Sequence, residues 1–130
     1  MPTVVLGYVP KPEGEAALAA SISEARLRQA DLVVVNAHRA HHGDSESSGE
    51  PELDEVRARV EAAGVVVDVR HPDAGLEASE DLLAIAEEVG AELIVIGLRR
   101  RTPVGKLILG SNAQRILLDA SCPVLAVKSE

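Results

Sequence analysis

The sequence is almost without aromatic residues. Its 130 residues include no Trp and no Phe, and Tyr8 is the single tyrosine. This absence excludes the stacking platforms on which single-stranded nucleic acids bind. The formal net charge of −8 opposes binding to DNA, RNA and anionic membranes. A hydrophobic core must therefore be built from Val, Leu, Ile and Ala.

Cysteines and long apolar runs are also scarce. Cys122 is the single cysteine, so no internal disulfide can form, which is typical of a reducing compartment. No apolar run approaches the ~20 residues that span a bilayer, and the first residues lack the basic and apolar regions of a signal peptide. We therefore expect a cytoplasmic protein with one domain over residues 1–130.

Short apolar runs alternate with longer amphipathic stretches. The runs are rich in β-branched residues and continuous, as expected for strands that are covered on both faces. They comprise residues 4–6, 32–35, 65–67, 93–96 and 124–127. This alternation predicts an α/β fold, with one open five-stranded parallel sheet and helices on both of its faces.

Helical spacing and capping residues mark the segments between the predicted strands. The first helix is predicted over about 13–29, and apolar residues recur at helical intervals over 53–63, 82–89 and 113–120. Gly64 and Gly90 follow helical patterns, where left-handed C-terminal caps are expected. The polar residues 38–50 predict a mobile surface loop.

The segment after the fourth predicted strand is the most informative part of the chain. Gly97 ends that strand, where a missing side chain would let the backbone approach a ligand. Gly110 and Ser111 precede the last helical pattern, and we expect Ser111 to be its N-cap. A helix start attracts anions because its free N–H groups and the helix dipole act together.

The charge of this segment agrees with an anion site. No acidic residue occurs between positions 93 and 118, in a chain that is acidic overall. Guanidinium groups can bind phosphate with two parallel hydrogen bonds. The basic residues here are Arg99, Arg100, Arg101, Lys106 and Arg115. A solvated basic surface is the ordinary alternative for such a run.

The sequence gives little support for a phosphate loop, a dinucleotide-binding turn or a metal site. Gly105-Lys106 is followed by Leu107 and therefore fails the phosphate-loop pattern, and no Gly-x-Gly-x-x-Gly follows the first strand. We predict no metal site, since a polar loop without cysteine ligands is poorly preorganised. The histidines and acid weighed for such a site are His38, His41, His42, Asp44 and His71.

Catalytic residues are also hard to assign. Cys122 has an apolar context and is interpreted as a buried structural side chain. No nucleophile with a partner base can be assembled, and nothing nominates a general base. The acids at 13–24 and at 87–88 are expected on solvated helix faces. An enzyme is not predicted, beyond slow ATP hydrolysis as an alternative.

Over its whole length the sequence resembles the universal stress protein family. That family's nucleotide signature is Gly, two residues, Gly, nine residues, Gly, then Ser or Thr. Gly97 and the pair Gly110-Ser111 match it at the right spacing, whereas Arg100 occupies the middle glycine position. The closing segment 121–128 also resembles the family's final strand. Val9 aligns with a position where the family usually has an Asp that contacts the nucleoside.

The resemblance implies the fold and the ligand. It implies the strand order 3-2-1-4-5 of the adenine nucleotide alpha hydrolase-like fold, and a homodimer formed through residues 124–128. It also implies bound ATP or AMP, with or without Mg²⁺, at the carboxyl ends of strands 1 and 4. The cofactor-binding candidates are Gly7, Val9, Ala37, Ile96, Gly97, Arg99, Arg100, Gly110, Ser111 and Asn112.

Two functions from different classes follow. The first is a dimeric stress-response regulator that responds to ATP or AMP. The second is a nucleotide-free dimeric interaction module whose basic 99–106 loop docks an acidic partner, as the substitutions at Val9 and Arg100 would allow.

Overall fold

The chain forms one parallel five-stranded sheet in the order β3-β2-β1-β4-β5. The computed structural model describes residues 2–36, 50–71, 78–98 and 110–129, without the side chains of 50–52. The elements in chain order are β1 (Thr3–Tyr8), α1 (Pro12–Arg28), β2 (Asp31–Asn36), α2 (Glu50–Ala62), β3 (Val67–Arg70), α3 (Ala78–Val89), β4 (Leu93–Leu98), α4 (Ser111–Asp119) and β5 (Val124–Lys128). The predicted fold class and strand order are confirmed.

The sheet separates two apolar layers. Val4 and Leu6 of β1 pack with residues of α1 and α2, whereas Val5 packs with residues of α3 and α4. All three side chains are fully buried. Burial of one such side chain contributes about 1.5–3 kcal/mol relative to exposure, so these aliphatic layers replace the aromatic residues that the chain lacks. Helices therefore cover both faces of the sheet, as predicted.

The helix ends follow the predicted capping pattern, with one addition. Gly64 and Gly90 have φ values of 82° and 65°, which confirms both expected left-handed caps. The C-cap of α1 is Gln29, which also adopts a left-handed conformation, at φ 54°. A side chain in this conformation costs about 1–2 kcal/mol, so the end of α1 is fixed by its surroundings and not by a glycine.

The third strand was predicted two residues too early. Val65 takes part in the turn that caps α2, because its N–H donates to the Val60 carbonyl at 3.3 Å. Val66 is 67% exposed, and the strand proper begins at Val67. As an edge strand, β3 carries a polar residue, Asp68, on an exposed position, so the continuous apolar run at 65–67 contains only the first residue of the strand.

The start of α4 also differs from its prediction. Gly110 is the N-cap, with φ −70° and ψ 165°, and Ser111 is the first helical residue. The Gly110 carbonyl accepts the first intrahelical bond from the Gln114 N–H at 3.0 Å. The Ser111 hydroxyl therefore makes no capping bond, because it lies one position too far into the helix. Leu117, predicted on the apolar stripe, is 38% exposed.

Some predictions concern residues outside the described ranges. They include most of the predicted loop 38–50, although Glu50 itself begins α2. Among the weighed metal ligands, His71 is described and exposed. The described residues contain no cluster of three or more His, Cys, Asp or Glu that could hold a metal ion. None of the described helices is both long and apolar enough to cross a membrane.

Candidate functional site

A cleft of about 170 Å³ opens at the carboxyl ends of β1 and β4. These two strands are neighbours in the sheet but not in sequence, so the strand order reverses between them. Ligands of open parallel sheets bind at such a point. The described residues that line the cleft are Gly7, Val9, Glu13, Ala78, Ser79, Leu82, Ile96, Gly97, Asn112, Ala113 and Ile116.

The floor of the cleft depends on Gly7. A Cβ atom at Gly7 would lie 3.3 Å from Leu82 Cδ2 and 3.6 Å from Ile96 Cγ2. Any larger side chain would project between these two residues, on the sheet face that α3 and α4 cover. Gly7 therefore leaves open the space above Ile96, and the floor is apolar.

The missing side chain at Gly97 makes room for the backbone of another element. A Cβ atom at Gly97 would collide with the backbone carbonyl of Glu13 and would lie 2.6 Å from its carbonyl carbon. The sequence predicts that the missing side chain lets the backbone approach a ligand; in the structure the first turn of α1 occupies the space of that side chain. Gly97 still lines the cleft, and its missing side chain sets how closely α1 approaches β4.

The corner between β1 and α1 is equally tight. A Cβ atom at Gly14 would collide with the Val9 carbonyl and would lie 2.7 Å from its carbonyl carbon. The Lys11 N–H donates to the same Val9 carbonyl at 2.8 Å. We call residues 9–14 the β1–α1 corner. Its backbone contacts place Val9 and Glu13 on one wall of the cleft.

Helices α3 and α4 form the opposite walls. Ala78 and Ser79 begin α3, and Asn112 and Ala113 lie in the first turn of α4. The first backbone N–H groups of a helix have no partner within that helix, and in α4 this turn lies beside the cleft. No acid occupies the first turn of α4, whereas Glu80 and Asp81 occupy that of α3. The α4 end is therefore the better place for an anion.

The structure brings together part of the predicted site. Five of the ten predicted residues line the cleft: Gly7, Val9, Ile96, Gly97 and Asn112. Gly110 is half-buried and Ser111 exposed, immediately before Asn112. Ala37, Arg99 and Arg100 lie outside the described residues, as do Arg101 and Lys106.

Arg115 does not act as a free member of the predicted basic cluster. Its guanidinium lies 3.4 Å from a Glu80 carboxylate oxygen and 3.4 Å from one of Asp119. The first contact joins α4 to α3, and the second lies within α4. These exposed pairs contribute little to stability, but they offset the positive charge that the sequence interpretation assigned to ligand binding.

Several lining residues were not predicted as site residues. Glu13 was expected on a solvated helix face, but it is half-buried at the cleft wall. Leu82 was recognised only as part of an apolar helical stripe, and Ala78 and Ser79 carried no signal. Because α3 reaches the cleft through tertiary packing alone, no local pattern in the sequence could place its first turn there.

On the other sheet face, two hydrogen bonds hold the start of α1. We call the three residues that form them, Tyr8, Glu15 and Arg59, the polar bracket. The Tyr8 hydroxyl donates to Glu15 Oε2 at 2.8 Å, and Arg59 Nη1 donates to Glu15 Oε1 at 2.6 Å. The bracket joins β1, α1 and α2. The hydrogen bond from Arg59, and then that from Tyr8, hold the pKa of the Glu15 carboxyl below its usual value.

Comparison with known sequences gives the chain's relatives. Residues 1–128 match the universal stress protein family. A universal stress protein of Mycolicibacterium smegmatis is 44% identical over 126 residues, which cover 96% of each chain.

Solved structures agree with the sequence comparison. The structure of a universal stress protein from Archaeoglobus fulgidus superposes with a TM-score of 0.82, at 31% identity over 98% of both chains. A structure of the universal stress protein from Archaeoglobus fulgidus in complex with dAMP has a TM-score of 0.76 and 26% identity, again over 98% of both chains.

Proposed function

The chain belongs to the universal stress protein family, and on this premise we propose that it binds an adenine nucleotide, ATP or AMP. The cleft at the carboxyl ends of β1 and β4 is the observation that carries the proposal. Further support comes from the similar Archaeoglobus fulgidus protein, whose structure contains dAMP.

The two ends of the cleft suit the two ends of a nucleotide. The phosphate lies at the first turn of α4, beside Gly110, Ser111 and Asn112, where free N–H groups and the helix dipole favour an anion. The base and sugar lie over the apolar floor formed by Gly7 and Ile96. A mostly apolar cleft with a few polar groups is the usual form of a small-molecule site.

A cleft-filling substitution tests this assignment. Ala113 is half-buried on the cleft wall, and the adjacent Gln114 is exposed. Ala113→Leu should abolish binding of AMP and ATP in isothermal titration calorimetry, because the larger side chain occupies the ligand's space. Gln114→Leu adds a similar apolar side chain to the same helix and should leave the affinity unchanged. Equal affinity of both variants would contradict the assignment.

The phosphate end has its own test. Ser111→Ala should weaken nucleotide binding, and Gly110→Val should weaken it further, because a β-branched side chain would crowd the backbone at the start of α4. Titration with AMP and with plain phosphate should show both losses. Unchanged affinity in both variants would place the phosphate elsewhere.

The biological role proposed for this binding is that of a cytoplasmic, dimeric stress-response regulator. Strand β5 pairs with β4 on one side and ends the described sheet. An edge strand can pair with a second copy of the chain. Leu118, near the end of α4, is 75% exposed. Sedimentation velocity should therefore give a dimer. Ala126→Pro in β5 should shift it towards monomer, because proline removes a backbone donor on the open edge. The donors of the alternate residues face β4, as the hydrogen bond from the Ser129 N–H to the Leu98 carbonyl at 3.2 Å shows.

A further inference from the structure

We propose that the Glu13 carboxylate accepts hydrogen bonds from the sugar hydroxyls of the bound nucleotide. The cleft would then select ribonucleotides over their deoxy analogues. This inference rests on the proposed nucleotide binding and assigns the residue that recognises the sugar.

Glu13 is the one charged residue among the described residues that line the cleft. It is half-buried, and no described residue forms a hydrogen bond or ion pair with it. Glu15, two positions further along, is held by Tyr8 and Arg59 instead. An ionised carboxylate accepts hydrogen bonds and donates none. Glu13 therefore offers the cleft an acceptor that the protein's own described groups do not use.

The position of Glu13 is fixed by backbone contacts. Its carbonyl fills the space that a side chain at Gly97 would need, and the next residue, Gly14, packs against the Val9 carbonyl. These contacts fix the backbone that carries the carboxylate, so a hydrogen bond to it requires ordering of the Glu13 side chain alone.

The chemistry of the cleft decides which part of the nucleotide Glu13 contacts. A carboxylate repels a phosphate, whereas the first turn of α4 attracts one. Val9 shares the cleft wall with Glu13, and its side chain can supply no polar contact. Sugar hydroxyls are donors, and in a nucleotide they lie between the base and the phosphate. A hydrogen bond from a hydroxyl to an ionised acceptor is about twice as strong as one between neutral groups.

A simpler role for Glu13 is to stabilise the start of α1. Acidic residues in the first turn of a helix interact favourably with its dipole. Glu15 shares this property, since both acids lie in the first turn of α1, but Glu15 does not line the cleft. Glu15→Gln is therefore the matched control, because it removes a charge from the same turn on the opposite side.

The test compares AMP, 2′-deoxy-AMP and 3′-deoxy-AMP by isothermal titration calorimetry in EDTA. The wild-type protein should bind AMP about tenfold more tightly than at least one deoxy analogue, as expected for the loss of one hydrogen bond to a charged acceptor. Glu13→Ala should bind all three with the affinity of that weaker analogue. Glu15→Gln should keep the wild-type preference.

The outcomes separate this inference from the function on which it rests. Wild-type protein that binds none of the three nucleotides would overturn both. Equal wild-type affinity for all three would overturn the role of Glu13 alone. A preference that persists in Glu13→Ala would do the same. The role of Glu13 would also be overturned if Glu13→Ala changed nucleotide affinity only after Mg²⁺ is added, because the carboxylate would then bind a metal ion.

Discussion

The backbone of Glu13 lies where the side chain of residue 97 would be. A Cβ atom on Gly97 would lie 2.6 Å from the Glu13 carbonyl carbon, well inside van der Waals contact. The end of β4 and the start of α1 thus touch through main-chain atoms. The shape of the cleft wall therefore depends on a glycine in a different element.

Gly97→Ala should damage both stability and binding. The added methyl group must push the first turn of α1 away from β4, and overpacking of this kind costs about 1–3 kcal/mol. Displacement of the cleft wall should also lower nucleotide affinity by roughly tenfold, because small misplacements are costly in a preorganised site. Urea denaturation measures the first effect, and calorimetric titration the second.

Gly90→Ala is the control for this substitution. Gly90 has φ 65°, and a Cβ atom there would meet nothing within 4 Å. Alanine should therefore cost about 1 kcal/mol through backbone strain alone, with no change in nucleotide affinity. If Gly97→Ala bound nucleotide as tightly as Gly90→Ala, the corner would not shape the site.

The sequence could predict the fold because its elements carry local signals. Buried strands such as β2 are continuous apolar runs, and Gly64 and Gly90 end helices in the way their position indicates. Edge elements were less predictable. The predicted start of β3 is two residues too early because Val65 and Val66 are β-branched and apolar, as strand residues usually are. Val65 instead hydrogen-bonds to Val60 in the turn that caps α2.

The bracket on α1 predicts a measurable coupling between Tyr8 and Glu15. Tyr8→Phe removes the hydroxyl that donates to Glu15 at 2.8 Å and should lower the free energy of unfolding by about 1 kcal/mol. Glu15→Gln should weaken both contacts of the bracket. The double variant should lose less than the sum of the two single losses. Strict additivity in urea denaturation would show that the hydrogen bond contributes nothing.

The same bracket predicts a pH dependence of stability. Hydrogen bonds from Arg59 and Tyr8 lower the Glu15 pKa from its ordinary value of 4.5. The folded state therefore holds this proton less tightly than the unfolded state. The stabilisation is complete above the unfolded pKa and is lost as the pH falls through the lower, folded pKa. Between about pH 5 and about pH 3, the urea midpoint should fall more steeply for the wild-type protein than for Glu15→Gln. Parallel curves would contradict this origin.

Cys122 should be a poor nucleophile in the folded protein. It is partly buried and packs against the α3 and α4 side of the sheet, and burial raises the pKa of its thiol. Since the thiolate is the reactive form, alkylation by iodoacetamide near neutral pH should be slower in the native protein than in urea. Equal rates would show that Cys122 is open to solvent.

The site was harder to predict than the fold because its walls come from distant elements. Gly97 and Asn112 carried local signals, namely a strand end and a helix start. Glu13 carried none, since an acid in the first turn of a helix is ordinary. Its place on the cleft follows from a backbone contact between α1 and β4, which no spacing along one chain encodes.

Thermal unfolding in the presence of nucleotide tests the central claim most directly. Circular dichroism is the suitable signal, because the chain has no Trp. AMP or ATP at about 100 times its dissociation constant should stabilise the fold by about 2.7 kcal/mol, which raises the midpoint by roughly 5–10 °C for a chain of this size. Plain phosphate should raise it less. A midpoint that stays unchanged in millimolar AMP and in millimolar ATP with magnesium would contradict nucleotide binding in this cleft.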